Sequence, residues 1–133
     1  MIHNTGGHTI GKARCATFRN RIWNESNIER NFADNLKKTC PKSGNDGSLA
    51  GLDRSDRIFD NAYFRDLVAE RGLLHSDQQL YKVGGGIETN KIVEDYSKYP
   101  GLFFSDFGKA MVKMGQLPPS ELGEIRKNCR RSN

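Results

Sequence analysis

No stretch of this chain alternates apolar and polar residues with a period of two. Glycine and proline instead cut it into segments whose apolar residues recur every three or four positions, a pattern that admits helices and argues against an extended sheet. Across 8–22, Ile10, Cys15, Phe18 and Ile22 stand at helical spacings, with Arg14, Arg19 and Arg21 on other faces. Ser26-Asn27-Ile28-Glu29 has the form of a capping box. It predicts a second helix striped by Ile28, Phe32 and Leu36 and stopped at Cys40-Pro41. Asp60 or Asn61 caps a third, whose core face is Tyr63, Phe64, Leu67 and Val68 and whose end is Gly72. Short helices are predicted at 76–81 and 88–98, on either side of Gly84-Gly85-Gly86. Ser105 is expected to cap a last strong helix that turns Phe107, Ala110, Met111 and Met114 inward, with Phe103 and Phe104 also in the core. The fold class is mainly α, without repeat or linker, in one domain spanning residues 1–133.

Charge narrows the partners. Twenty-one basic against 16 acidic residues give +5, which favours acidic partners. No run approaches the roughly 20 apolar residues of a membrane helix. The opening MIHNTGGHT shows no basic-then-apolar signal-peptide pattern, so none is expected in the chain as written. Arg126, Lys127, Arg130 and Arg131 form the densest basic cluster, and no stacking platform of aromatic residues is interleaved with it. Single-stranded nucleic acid needs such a platform, so nucleic acid is excluded as a partner. A solvated basic surface, or one that binds acidic polysaccharide, remains.

Three cysteines match no CxxC metal motif. Either all are buried thiols, or Cys15 and Cys40 close a helix-loop-helix and leave Cys129 without a partner. Closing that loop would stabilise the fold by roughly 3.5 kcal/mol through chain entropy. Asn24-Glu25-Ser26 is a glycosylation sequon, meaningful only in a secreted chain.

His8, in GGHTIGKARC, has acidic residues downstream where chemistry would use them. An imidazole that binds iron must be neutral, with its other nitrogen donating to a carboxylate that orients the ring and raises its basicity. Asp77 can be that carboxylate if the chain folds back on itself. A strongly basic axial ligand suits peroxide chemistry better than oxygen carriage. Thr9, Asp53, Ser55 and Asp60, with a backbone carbonyl near Ile58, offer the oxygen set of a calcium site. Thr9 adjoins His8, so such an ion would brace the ligand segment.

The ordered set GGHTIGKARC, FRNRIWNES, NFADNLKKTCP, LD…FDNAYF, RGLLHSDQQLY, FFSDFGKAMVKMG and GEIRKNCR resembles the plant secretory (class III) haem peroxidases, in their proximal, C-terminal half. The likeness runs from Met1 to Asn133. It implies the proximal lobe of the plant haem peroxidase fold, with haem b and calcium as cofactors. His8 would be the axial iron ligand and Asp77 its orienter, with Thr9, Asp53, Ser55, Ile58 (through its carbonyl) and Asp60 on calcium. Cys15 would pair with Cys40, and Cys129 with a cysteine outside this sequence. The activity implied is oxidation of phenolic-type donors by hydrogen peroxide, in the cell wall or extracellular space.

Departures from the family pattern sharpen the expectations. The family has one more residue between its calcium aspartates, and a threonine-proline where this chain reads Ser55-Asp56, so Asp56 competes with Asp53 as ligand. His3-Asn4 replace small or apolar residues. The family's peroxide-handling histidine and arginine belong to a distal half that is absent here. The chain by itself is therefore expected to turn over weakly or not at all, since losing acid–base help costs on the order of 100- to 10,000-fold. Beside the enzyme stand two further readings: a silent haem- or calcium-binding remnant, and a basic polysaccharide-binding protein.

Overall fold

The computed structural model describes residues 5–85, 88–118 and 123–133. It is mainly helical. In order come a 3-10 turn (Gly6–Thr9), β1 (Lys12–Arg14), α1 (Cys15–Asn24), α2 (Arg30–Lys37), β2 (Leu49–Gly51), α3 (Ala62–Val68), α4 (His75–Gln78), α5 (Thr89–Lys98) and α6 (Pro100–Gly115). His3, Asn4 and Gly86 lie outside the described residues.

Two apolar clusters hold these elements. Tyr63, Phe64 and Leu67 of α3 pack with Leu80, with Val93 and Tyr96 of α5, and with Phe103 of α6. Phe64, Leu67, Val93 and Phe103 are fully buried, each contributing about 1.5–3 kcal/mol. A helix cap contributes about 1 kcal/mol, so packing rather than capping decides where α3 sits. The second cluster joins Cys15, Phe18 and Ile22 of α1 to Cys40, Leu52 and Leu73. Cys15 and Cys40 are disulfide-bonded across a Cα–Cα distance of 5.4 Å, and Cys129 is free and exposed.

Several boundaries differ from the periodicity. The segment 8–22 is not one helix: the 3-10 turn ends at Thr9, Lys12–Arg14 is a strand, and α1 begins at Cys15. β1 pairs antiparallel with β2, Lys12 opposite Gly51, Ala13 opposite Ala50 and Arg14 opposite Leu49. Gly11, at φ +118°, lets the chain turn out of the 3-10 turn and into β1. Its N–H donates to the Asp56 carbonyl at 2.8 Å and its carbonyl accepts from Leu52 N at 3.0 Å. This ribbon brings Thr9 against the 52–60 loop.

The cap of α2 is Glu29 rather than Ser26; its carboxylate accepts from the N–H groups of Asn31 and Phe32, each at 2.8 Å. Those bonds, with Arg71 nearby, hold the Glu29 carboxyl below its ordinary value of 4.5. A depressed folded-state pKa contributes stability above the unfolded value, lost as pH falls through the folded one. Glu29→Gln is therefore expected to flatten the decline of melting temperature below pH 4.5. Melts of both proteins down the acid limb check this, and parallel limbs would refute it.

Asn61 precedes α3 without capping it through its side chain. Its carboxamide donates instead to the carbonyls of Tyr96 at 2.9 Å and Ser97 at 3.0 Å, tying α3 to α5. Asp60 Oδ1 takes the Ala62 N–H at 2.7 Å. The last helix starts at Pro100, five residues before Ser105, because proline suits a helix's first position. Its inward residue is Phe103. Phe104, Met111 and Met114, expected in the core, are 39–44% exposed.

Candidate haem-ligand and calcium site

His8 sits on the 3-10 turn, and two glycines set its height above the core. A β-carbon at Gly6 would lie 2.9 Å from Phe103 Cζ and 3.3 Å from Phe64 Cζ, so the turn rests directly on those rings. At Gly7 a β-carbon would stand 3.9 Å from Phe107. On this seat His8 Nδ1 lies 3.0 Å from Asp77 Oδ1, across 69 residues. The Asp77 side chain is 1% exposed and that of His8 39%. Among the described residues no hydrogen bond goes to His8 Nε2. The Asp77 hydrogen bond, opposed by partial burial and aided by the aspartate's charge, raises the His8 pKa above 6.5.

Asp77 has a second donor that the sequence reading missed. Tyr63 OH donates to the same Oδ1 at 3.1 Å, and the Tyr63 ring meets His8 edge-on, centroids 6.1 Å apart. Burial, then the Asp77 charge, pushes the phenol's pKa far up, so Tyr63 stays a protonated donor. In the sequence it was visible only as one member of a core stripe. Asp77 Oδ2 is buried without a hydrogen-bond partner among the described residues.

The set fits a haem. The ring is oriented through one nitrogen and is 39% exposed, and the neighbouring Gly7 lies beside Phe107. Phe59 stacks on Phe103 at 5.4 Å and meets Phe107 at a tilt, centroids 4.9 Å apart, next to exposed Phe104.

Below the turn, Thr9 Oγ1 donates to Asp53 Oδ2 at 3.1 Å and to Asp60 Oδ1 at 3.3 Å. Ser55 Oγ joins them, 3.1 Å from Asp60 Oδ1 and 3.4 Å from Asp53 Oδ1. Ile58 closes the loop, its N–H donating to the Ser55 carbonyl at 2.7 Å while its side chain points outward. Asp56 is turned away: its carboxylate lies 3.5 Å from Lys12 Nζ. The structure thus groups Asp53, not Asp56, with Thr9, Ser55 and Asp60.

Burial raises the Asp53 pKa, against the Ser55 and Thr9 hydrogen bonds and with help from the Asp60 and Asp66 charges. The Arg54 guanidinium is hydrogen-bonded to Asp66 rather than to the pair; that bond most raises its pKa, with smaller help from the Asp53 and Asp60 charges. Two carboxylates held together with neutral oxygens and no bound side-chain cation form a donor set suited to calcium. No cluster of three or more His, Cys, Asp or Glu occurs among the described residues, so neutral oxygens must complete any metal shell.

Known proteins match this arrangement over its whole length. A family model described as peroxidase matches residues 1–99, from before His8 to beyond Asp77. The chain is 54% identical over 133 residues to peroxidase RIP1 of Medicago truncatula, covering 98% of this chain and 41% of that protein. It is 47% identical over 138 residues to peroxidase P7 of Brassica rapa subsp. rapa, covering 100% and 46%. A peroxidase of Lupinus polyphyllus is 49% identical over 130 residues, covering 95% and 80%. The chain thus spans less than half the length of the first two. Matched through both the histidine–aspartate pair and the oxygen cluster, this chain belongs to the plant (class III) peroxidase family.

Proposed function

We propose that residues 1–133 form the proximal part of a secreted haem peroxidase that oxidises phenolic-type donors with hydrogen peroxide. The observation that carries this is the 3.0 Å bond from His8 Nδ1 to buried Asp77, with Nε2 left for iron. Haem b, when bound, would supply the redox chemistry, taking up oxidising equivalents from peroxide and passing them singly to donors. The chain's own part is to hold the imidazole. Asp77 keeps the proton on Nδ1 and makes the ring a stronger donor, while Tyr63 shares and steadies the carboxylate. The apolar surface of Phe59, Phe104 and Phe107 would exclude water from one macrocycle edge. Titration of the purified chain with haem tests this: one saturable Soret band per chain is expected, and its absence would overturn it.

Thr9, Asp53, Ser55, Asp60 and the Ile58 carbonyl are proposed to hold a calcium ion that stiffens the His8 turn from below. Calcium at a hundred times its dissociation constant would stabilise the fold by about 2.7 kcal/mol. Asp53→Asn is expected to abolish the calcium-dependent rise in melting temperature, and Asp56→Asn to keep it. Melts with calcium and with chelator decide, and the reverse pattern would transfer the role to Asp56.

A silent haem- or calcium-binding role is the competing reading. A Soret band without peroxide turnover would favour it. Exposed Phe104, Met111 and Met114 support a chain whose apolar face awaits a covering surface. The basic surface supports acidic polysaccharide as a further partner.

A further inference from the structure

We propose that the concavity beside Trp23 binds an anionic oligosaccharide made of uronate residues, through Trp23, Lys42 and Asn20. The cavity measures about 380 Å³ and is lined by Ala16, Arg19, Asn20, Trp23, Asn24 and Lys42, which is at the small end of the roughly 300–1,000 Å³ of ligand sites. It lies on the outer side of α1, away from the His8 turn.

The ring is fixed. Trp23 Nε1 donates to the Cys40 carbonyl at 3.1 Å, and the Cys15–Cys40 bond anchors that carbonyl to the start of α1. Two ammonium groups reach over the indole, Lys37 Nζ at 5.1 Å and Lys42 Nζ at 5.2 Å from the ring centroid. Lys37 is paired with Asp34 at 3.0 Å, whereas Lys42 makes no ion pair among the described residues. Asn24 Nδ2 donates to Asn20 Oδ1 at 2.7 Å. That bond leaves Asn20 Nδ2 as a donor on an exposed residue.

The available groups select the ligand class. Arg19 has the fork that suits phosphate, but it is spent on the carbonyls of Pro41 and Gly44 and on the Asp46 carboxylate. What remains is a fixed ring, the Lys42 ammonium group beside it outside any ion pair among the described residues, and the Asn20 carboxamide. They correspond to the C–H face, the carboxylate and the hydroxyls of a uronate. The proposal rests on the acidic-polysaccharide reading of the surface and not on haem.

Trp23 is the chain's only tryptophan, so its fluorescence reports on this cavity alone. The chain would be titrated with tetragalacturonate and, separately, with neutral cellotetraose. A saturable one-to-one change is expected with the first and none with the second. Lys42→Ala should weaken binding about fivefold, as loss of a partly exposed ion pair does. Trp23→Phe, followed calorimetrically with far-ultraviolet dichroism as a fold control, should weaken it about tenfold. Neutralising Arg126, Lys127, Arg130 and Arg131 to glutamine should leave it unchanged. Binding that follows this terminal cluster and ignores Lys42 would overturn the site while leaving the polysaccharide reading intact. Equal response to the neutral sugar would overturn the ligand class, and no binding of any acidic oligomer would overturn both.

Discussion

Replacing His8 with alanine is expected to abolish saturable haem binding, and replacing Asp77 with asparagine to weaken it by about 10–100-fold. The two variants act differently. His8→Ala removes the iron ligand and leaves Asp77 with the Tyr63 hydroxyl as partner. Asp77→Asn keeps the size of the side chain but puts a neutral amide where the charged acceptor stood, weakening the hydrogen bond that most raises His8 basicity and removing the charge that adds to it. The remaining imidazole is a weaker donor with a freer ring. Soret titrations of the three proteins measure the effect, with melting temperatures of the haem-free chains as the fold control. Were His8→Ala to bind haem as tightly as the parent, another residue would hold the iron and the proposed function would fail. Were Asp77→Asn indistinguishable from the parent, the aspartate would be a structural buried acid and no more.

That pair was legible in the sequence as chemistry, but only the order of motifs said that 69 intervening residues would fold back to join it. The route of return was not legible. It runs over a ribbon of two three-residue strands, and three residues are too few to display a period. Ile10, Cys15, Phe18 and Ile22 therefore read as one helix, although Gly11 breaks the segment at a positive φ. The choice between Asp53 and Asp56 was likewise invisible, because both fit the spacing. Only the pairing of Lys12 opposite Gly51 brings an ammonium group near enough to turn Asp56 aside.

The last helix carries a different lesson. Phe104, Phe107, Met111 and Met114 recur at helical spacings, and such a stripe marks a face that prefers cover without saying what covers it. Here Phe103 alone of that helix is fully buried, while Phe104, Met111 and Met114 remain exposed. The mainly α class follows from the same periodicity whether or not the stripe is covered. That is why the fold and most of the core could be read correctly while Phe104, Met111 and Met114 of the last helix could not.

Arg21→Ala is expected to cost about 3–5 kcal/mol of stability, or a fall in melting temperature of roughly 10–20 °C. The sequence places Arg21 on a face other than the apolar stripe of a helix, and its side chain is 1% exposed. Its Nε donates to the Gly72 carbonyl at 2.8 Å. One terminal nitrogen reaches Glu25 at 2.6 Å and Asn27 Oδ1 at 2.8 Å, and the other the Asn27 carbonyl at 3.0 Å. Alanine would strand these acceptors and open a void where the guanidinium lay. Gly72 has no room to adjust: a β-carbon there would stand 2.8 Å from Leu67 Cδ2 and 3.0 Å from Gln78 Oε1. Gln78 in turn fastens α4 to the Leu67 carbonyl at 3.0 Å, one residue beyond Asp77. Loosening Arg21 should therefore also cost haem affinity, though it touches neither His8 nor Asp77. Arg21→Lys keeps the charge but not the fork, and should fall between parent and alanine. Thermal melts of the haem-free chain give the stability change, and haem titration well below the lowered melting point gives the second effect. A loss under about 1 kcal/mol, the level of an exposed pair, would mean that water replaces the guanidinium and that the arginine does not hold Asp77 in place.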